Sequence, residues 1–335
     1  MKCTLLIASV ATAITVAKAI PFLGGVNTAG YDFSVYTDGS FEGPGTDPPS
    51  WQYQHFADEG VNIFRIPFAW QLMTPTVGSS IDEGFFQRYD ATVQSALSAS
   101  TSPYVILDLH NYARFNNAIV GQGGPANEDL ASLWSQIAQR YADNEKIIFG
   151  IMNEPHDLNS VPDWVDTVQV VVNAIREAGA TSQYILIPGS SWSSAAALPT
   201  EAGPLLVDVE DPASEDKSLL IFDVHKYLDS DNSGTHDDCV TNNIDTFQAL
   251  VDFLKQNGNR QALLSESGGG NTDSCKQLFK EQLAFIKENS DTLVGFTAWS
   301  AGAFDSTYIL TLTPNDDGTD QPLWTEAVVP NLPDA

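Results

Sequence analysis

Positive charge is scarce in this chain. Of its 335 residues only 15 are Lys or Arg, against 43 Asp or Glu, so the net charge is -28. Phosphates would be repelled, which excludes nucleic acid and anionic membrane surfaces as partners. A neutral polymer such as a polysaccharide is compatible with that charge. Metal-binding patterns are missing as well. There is no His-Glu-x-x-His and no Cys-x-x-Cys, so neither usual zinc spacing is present. No G-x-G-x-x-G follows the first strand-like segment, which argues against a dinucleotide-binding fold. The sequon Asn-x-Ser/Thr does not occur, so N-glycosylation is not expected. No Pro/Ser/Thr-rich linker or Cys-rich stretch sets off a binding module. Beyond the first residues, no segment has the length and apolarity of a membrane helix.

What is present begins with a leader. Lys2 supplies a positive start, residues 5–17 an apolar stretch, and Ala17-Lys18-Ala19 the small residues of a cleavage site. The expectation is a signal peptide over 1–19, a mature chain from Ile20 and secretion to the extracellular space; an uncleaved anchor is the alternative. Of the 3 cysteines, Cys3 leaves with that leader. Cys239 and Cys275 then form an even pair, which in an oxidising compartment reads as a disulfide, with two unrelated thiols as the other reading.

The remainder alternates. Strand-like runs at 21–27, 61–67, 104–109, 147–152, 184–187, 219–224, 262–265 and 293–298 are separated mostly by helical patterns at 51–59, 82–100, 128–141, 161–178, 243–257 and 274–289. Apolar strands interleaved with helices imply a parallel sheet covered by helices. Eight such units fit a closed (β/α)8 TIM barrel over 20–335 as one domain, a fold that typically takes ~250 residues and often more. The polar excursion at 313–322 reads as a surface loop.

Barrel enzymes carry their chemistry at the carboxyl ends of the strands. Here those ends hold Asn27, Arg65, His110-Asn111-Tyr112, Asn153-Glu154, Trp192, His225-Lys226-Tyr227, Glu266 and Trp299. Amides, imidazoles, carboxylates and aromatics are what a sugar site uses, since rings stack on aromatic faces and hydroxyls need fixed donors and acceptors. A carboxylic acid at a strand end against an apolar wall can hold a proton near neutrality, as a general acid must. Two strand-terminal glutamates, Glu154 and Glu266, are the pair that hydrolysis of a sugar–sugar bond requires. Asp108 and Asp223 precede the two histidines by two positions and share their face of the strand. His55 and His156 read as structural.

The runs Asp108-Leu-His-Asn-Tyr-Ala-Arg114, Gly150-Ile-Met-Asn-Glu-Pro-His156, Asp223-Val-His-Lys-Tyr227 and Leu264-Ser-Glu-Ser-Gly-Gly269 resemble glycoside hydrolase family 5, most closely its secreted fungal endo-β-1,4-glucanases. The resemblance spans essentially the whole mature chain. It implies a retaining endo-β-1,4-glucanase with Glu154 as acid/base and Glu266 as nucleophile. Asn153 would bind the sugar 2-hydroxyl, and Arg65 with Tyr227 would hold Glu266 ionised. His110 and His225 would position the acid and the sugar, with Asn27, Asn111, Trp192 and Trp299 as substrate contacts. No metal or cofactor is expected, and the partner is a β-1,4-glucan acted on by a monomer. A mannanase, xyloglucanase or mixed-linkage glucanase on the same fold is the near alternative; a non-catalytic carbohydrate-binding barrel is the distant one. Asp229-Ser-Asp-Asn-Ser-Gly234 looks like the start of a calcium loop, but its twelfth position is Val240 where a bidentate Glu belongs, so it is expected to be a turn-rich loop at the site. Gly268-Gly-Gly270 lacks the Lys-Ser/Thr that a phosphate loop needs.

Overall fold

The computed structural model describes residues 20–334, and the expected leader at 1–19 lies outside them. Eight parallel strands close into a barrel: β1 (Leu23–Ala29), β2 (Ile63–Phe68), β3 (Tyr104–Leu109), β4 (Ile147–Gly150), β5 (Tyr184–Pro188), β6 (Leu220–His225), β7 (Ala262–Ser267) and β8 (Leu293–Gly302). They pair in chain order, and β8 returns to pair with β1. The expected (β/α)8 architecture is therefore what forms. Around it lie α1 (Trp51–Asp58), α2 (Glu83–Leu97), α3 (Asn127–Tyr141), α4 (Val161–Glu177), α5 (Ile244–Gln256) and α6 (Asp273–Glu288). Three of these helices start where a side chain satisfies a free backbone N–H: Asp82 accepts from Phe85, Ser160 from Asp163, and Thr272 from Cys275.

The barrel interior is layered. Leu23, Ile63, Ile106, Ile148, Leu186, Ile221, Leu263 and Val294 form an apolar floor distinct from the core between sheet and helices. Because strand side chains alternate, the residue two positions later on each strand sits one layer higher on the same face. That places Arg65, Asp108, Asp223 and Ser265 directly above the floor. All four are essentially buried, so the polar layer is supported from below by close-packed branched side chains. Outside, Trp134 of α3 donates to the Ile151 carbonyl (3.0 Å) and Trp164 of α4 to the Pro188 carbonyl (3.0 Å), tying helices to strand ends.

Several boundaries differ from the sequence expectation. β4 stops at Gly150; beyond it the ladder to β3 is irregular, with the Asn153 N–H bonding the Leu109 carbonyl (2.7 Å). β8 runs on to Gly302 through a register shift against β1. After β5 the chain makes only the one-turn helix Gly203–Leu206. A helical turn at Trp324–Val328, not expected from the sequence, packs against α6 and against Phe56 of α1, and sends the Trp324 indole N–H to Glu59 (2.7 Å). Cys239 and Cys275 are disulfide-bonded (2.05 Å), so the two-thiol alternative falls. Among the described residues no helix is long and apolar enough to cross a membrane.

Candidate active site

Glu266 reaches the barrel mouth by an irregularity. Strict alternation from Leu263 points Ser265 and Ser267 inward and Glu266 outward. The β6–β7 pairing instead slips between Val224 and His225, so that Val224 faces Leu264 while His225 faces Glu266. This bulge turns Glu266 to the face His225 shares with Asp223 and Ile221. Glu154 arrives differently. It lies past the end of β4 with φ of +43°, a left-handed conformation that costs a non-glycine residue energy and is held by its surroundings.

Arg65 is the centre of the layer beneath. Its side chain is fully buried and its guanidinium reaches Glu266 Oε1 (2.5 Å), Asp108 (2.9 Å), Asn27 Oδ1 (2.9 Å) and Asn153 Oδ1 (2.7 Å). Burial opposes a charge here, but Asp108 and Glu266 outweigh it and raise its pKa. Tyr227 donates its hydroxyl to Glu266 Oε2 (3.0 Å). Burial next to that carboxylate pushes the phenol pKa up and keeps it a donor. Burial alone would also raise Glu266, yet the cations of His225 and Arg65 hold its pKa down at about 2.

His225 lies between the two glutamates, with Nδ1 at 2.7 Å from Glu154 Oε1 and 3.5 Å from Glu266 Oε2. Burial favours its neutral form, but Glu266 and Glu154 reverse that and lift its pKa to about 9. A carboxylate oxygen of Glu154 lies within 4.8 Å of one of Glu266. His110 bonds Asp108 through Nδ1 (2.8 Å) and meets the Asn153 amide through Nε2 (3.3 Å). Burial works against its cation, and the Asp108 bond more than compensates, raising its pKa.

Trp299 stacks on His110 with ring centres 5.5 Å apart, its indole N–H fixed by Tyr308 (2.9 Å). Trp192 is 40% exposed and lies flat on His156 at 3.6 Å and 2°. His156 is thus the backing of an aromatic platform, itself pinned by the Thr37 carbonyl (2.8 Å).

Two expected sugar contacts have nothing left to offer. Asn27 is completely buried, donating to the carbonyls of Ser265, Thr297 and Ala298 while accepting from Arg65. Asn111 is equally buried, accepting from the Trp70 N–H and donating to Gln71 and the Arg114 carbonyl. Both hold the frame. Asn153, also buried, retains one amide N–H for which no protein acceptor is found among the described residues. Tyr308 was not anticipated as a site residue, and Tyr112 was named at its strand end without a role. Tyr112 touches the rings of His110, His156 and Trp192 edge-on. It lies two residues after His110 in a quoted motif, and Tyr308 lies in the loop after β8.

A model of the cellulase family, glycosyl hydrolase family 5, matches residues 37–302. A curated relative named manganese dependent endoglucanase Eg5A, from Phanerodontia chrysosporium, is 63% identical over 317 residues, covering 95% of this chain and 82% of that protein. The crystal structure of Cel5A (EG2) from Hypocrea jecorina superposes with a TM-score of 0.87 at 46% identity, covering 93% of this chain and 99% of that one. XacCel5A in complex with cellopentaose superposes with a TM-score of 0.83 at 30% identity, over 92% of this chain and 99% of that one.

Proposed function

The chain belongs to glycosyl hydrolase family 5, and from that premise we propose how its residues divide the reaction. It is an endo-β-1,4-glucanase, a cellulase hydrolysing internal β-1,4-glucosidic bonds, and its partner is the glucan chain. The observation that carries the mechanism is the carboxylate spacing. Oxygens of Glu154 and Glu266 within 4.8 Å of each other suit the ~5–5.5 Å separation of a double displacement. They leave no room for the water that inversion places between carboxyls ~6.5–9.5 Å apart.

The roles follow from the charges. Glu266, gripped by Arg65 and Tyr227 and held ionised, attacks the anomeric carbon. Glu154, which Arg65 does not touch, gives its proton to the leaving oxygen as that bond breaks. The products of this step are a glycosyl ester on Glu266 and a Glu154 carboxylate. Water then adds to the anomeric carbon, Glu154 takes its proton, and Glu266 leaves as carboxylate with configuration retained. His225 serves both halves. Its positive charge faces Glu266 while that residue is ionised, then faces Glu154 once Glu266 is esterified, so the buried cation never lacks a counter-charge. The free amide N–H of Asn153 is the donor for the sugar 2-hydroxyl. Trp299 is the stacking surface beside the cleaved bond, and Trp192 on His156 is an outer platform.

Manganese dependence, in the name of the Phanerodontia protein, has no part in this chemistry. Two carboxylates and a water balance it, so a cation would act from elsewhere. We further propose that the barrel is one domain preceded by a cleaved leader, secreted, and active as a monomer. The formed Cys239–Cys275 bond supports secretion, and a reaction centre built wholly from one chain supports the monomer.

A substrate panel of carboxymethylcellulose, mannan and xyloglucan, with product configuration followed by NMR, tests this. Preference for the cellulose derivative with first-formed β product is expected. First-formed α product overturns the mechanism. A Glu266→Gln variant as active as wild type overturns the nucleophile.

A further inference from the structure

Asp229 carries an unexplained atom. It follows β6 and Tyr227 and is only 3% exposed. Its Oδ2 accepts from the Ser233 hydroxyl (3.1 Å), the Thr235 N–H (3.1 Å), the His236 N–H (3.3 Å) and His236 Nδ1 (3.0 Å). Its Oδ1 is buried and accepts nothing. A buried carboxylate oxygen without a partner is costly unless something positive meets it. Asp231 and His236 complete a group of three with ligand atoms all within 4.8 Å of one another. His236 Nδ1 lies 3.5 Å from Asp231 Oδ1, and Asp231 Oδ1 also accepts the Ser233 N–H (3.2 Å).

We propose that the loop 229–236 is a binding site for a divalent cation of the manganese class, which braces Tyr227 against Glu266. The first half of a calcium loop is present: an aspartate gathers loop N–H groups on one oxygen and leaves the other free, and a second aspartate follows two residues on. The acidic twelfth residue is missing, Val240 standing there, and His236 at the eighth position closes the ring of donors. Two carboxylates and an imidazole, two of the three exposed so that the ion keeps water, favour manganese over calcium or magnesium, which take oxygen donors throughout. His236 Nδ1 would exchange its bond to Asp229 for the ion.

The other two groups of comparable donors serve less well. In His55, Glu59 and Asp320, His55 is already bonded to Asp320 (2.7 Å) and Glu59 to Trp324 (2.7 Å), with no orphaned oxygen. Glu154, His225 and Glu266 are the reacting groups, and an ion there would tie up both carboxylates.

The brace follows from Gly234. It has φ of +68°, and a Cβ built on it would fall 2.7–2.9 Å from three atoms of the Tyr227 ring. The loop backbone therefore lies directly on the ring whose hydroxyl meets Glu266, and an ion that fixes the loop fixes that ring. The far end is fastened independently, since the Gly270 N–H bonds the Asp237 carbonyl (2.9 Å) beside the disulfide. The link to Tyr227 rests on the assignment of Glu266 above; the binding does not.

The test is MnCl2 titration of chelator-treated full-length protein, with free ion read by EPR and melting followed in parallel. Wild type should bind one ion and melt higher with it. Asp231→Asn and His236→Ala, both at exposed side chains, should each weaken binding at least tenfold, as loss of even a supporting contact does, and abolish the melting shift. Asp320→Asn should bind as wild type does. No binding by wild type, unchanged binding in the two loop variants, or loss confined to Asp320→Asn overturns the site. Manganese-stimulated turnover that persists in Asp231→Asn after binding is lost overturns the brace.

Discussion

Replacing Glu154 by Gln should separate the two halves of the reaction. The amide keeps the carbonyl oxygen that accepts from His225, now 2.7 Å from Glu154 Oε1, so folding should change by well under the ~1 kcal/mol of a typical hydrogen bond. What disappears is the proton. General acid catalysis contributes about 10²–10⁴-fold, and a cellulose chain, whose leaving group is an unactivated sugar hydroxyl, should lose at least that factor. An aryl cellobioside with a dinitrophenolate leaving group needs no proton, so its first step should be nearly unaffected. The second step still needs the base, so the Glu266 ester should accumulate. A burst of about one phenolate per enzyme is expected, followed by slow turnover. Azide, a nucleophile that requires no base, should restore turnover and give a β-glycosyl azide. Stopped-flow absorbance and NMR of the product provide the readings. Equal losses on both substrates, with no burst, would refute the assignment of the proton to Glu154.

Three further outcomes are expected. Arg65→Met leaves Asp108 and Glu266 buried without their counter-charge, which costs about 3–5 kcal/mol and should lower the melting temperature by several degrees; the acidic limb of the rate profile should also move upward as Glu266 loses one of its cations. For His225 the folded pKa, about 9 against an ordinary 6.5, lies above the unfolded one. The stability it contributes, roughly 3 kcal/mol at ~1.4 per pH unit, is therefore complete below 6.5 and lost as pH rises to 9. Glu266, held down at about 2, is ionised throughout that window, so melting measured from pH 6 to 10 should fall more for wild type than for His225→Asn. On the acid side Glu266 reports the same charge pair, with stability present above 4.5 and lost as pH falls to about 2. Cys239→Ser with Cys275→Ser opens a loop of 36 residues, worth about 4 kcal/mol of chain entropy; calorimetry should show the loss, and an unchanged melting temperature would count against it.

The barrel was legible because its signals are local. Alternation and apolar runs located the eight barrel strands within a few residues, whereas the caps Ser160 and Thr272 became visible only in the structure. Glu154 and Glu266 stood out as carboxylates ending apolar runs. Asn27 and Asn111 had the same outward signature and turned out to be framework, because whether an amide faces a ligand or a neighbouring carbonyl depends on what other strands bring beside it. Trp192 likewise could not be weighed until His156 was found flat beneath it.

The sequence by itself determined the strand order and which residue types crown the strands, because a period of two and a strand's end are properties of consecutive residues. The register between strands was decided only in the closed barrel. It is the slip between β6 and β7 that swings Glu266 inward to His225, and the left-handed turn at Glu154 that brings the second carboxylate across. The slip depends on pairing between segments about 40 residues apart in the chain, for which no consecutive run of residues carries a signal.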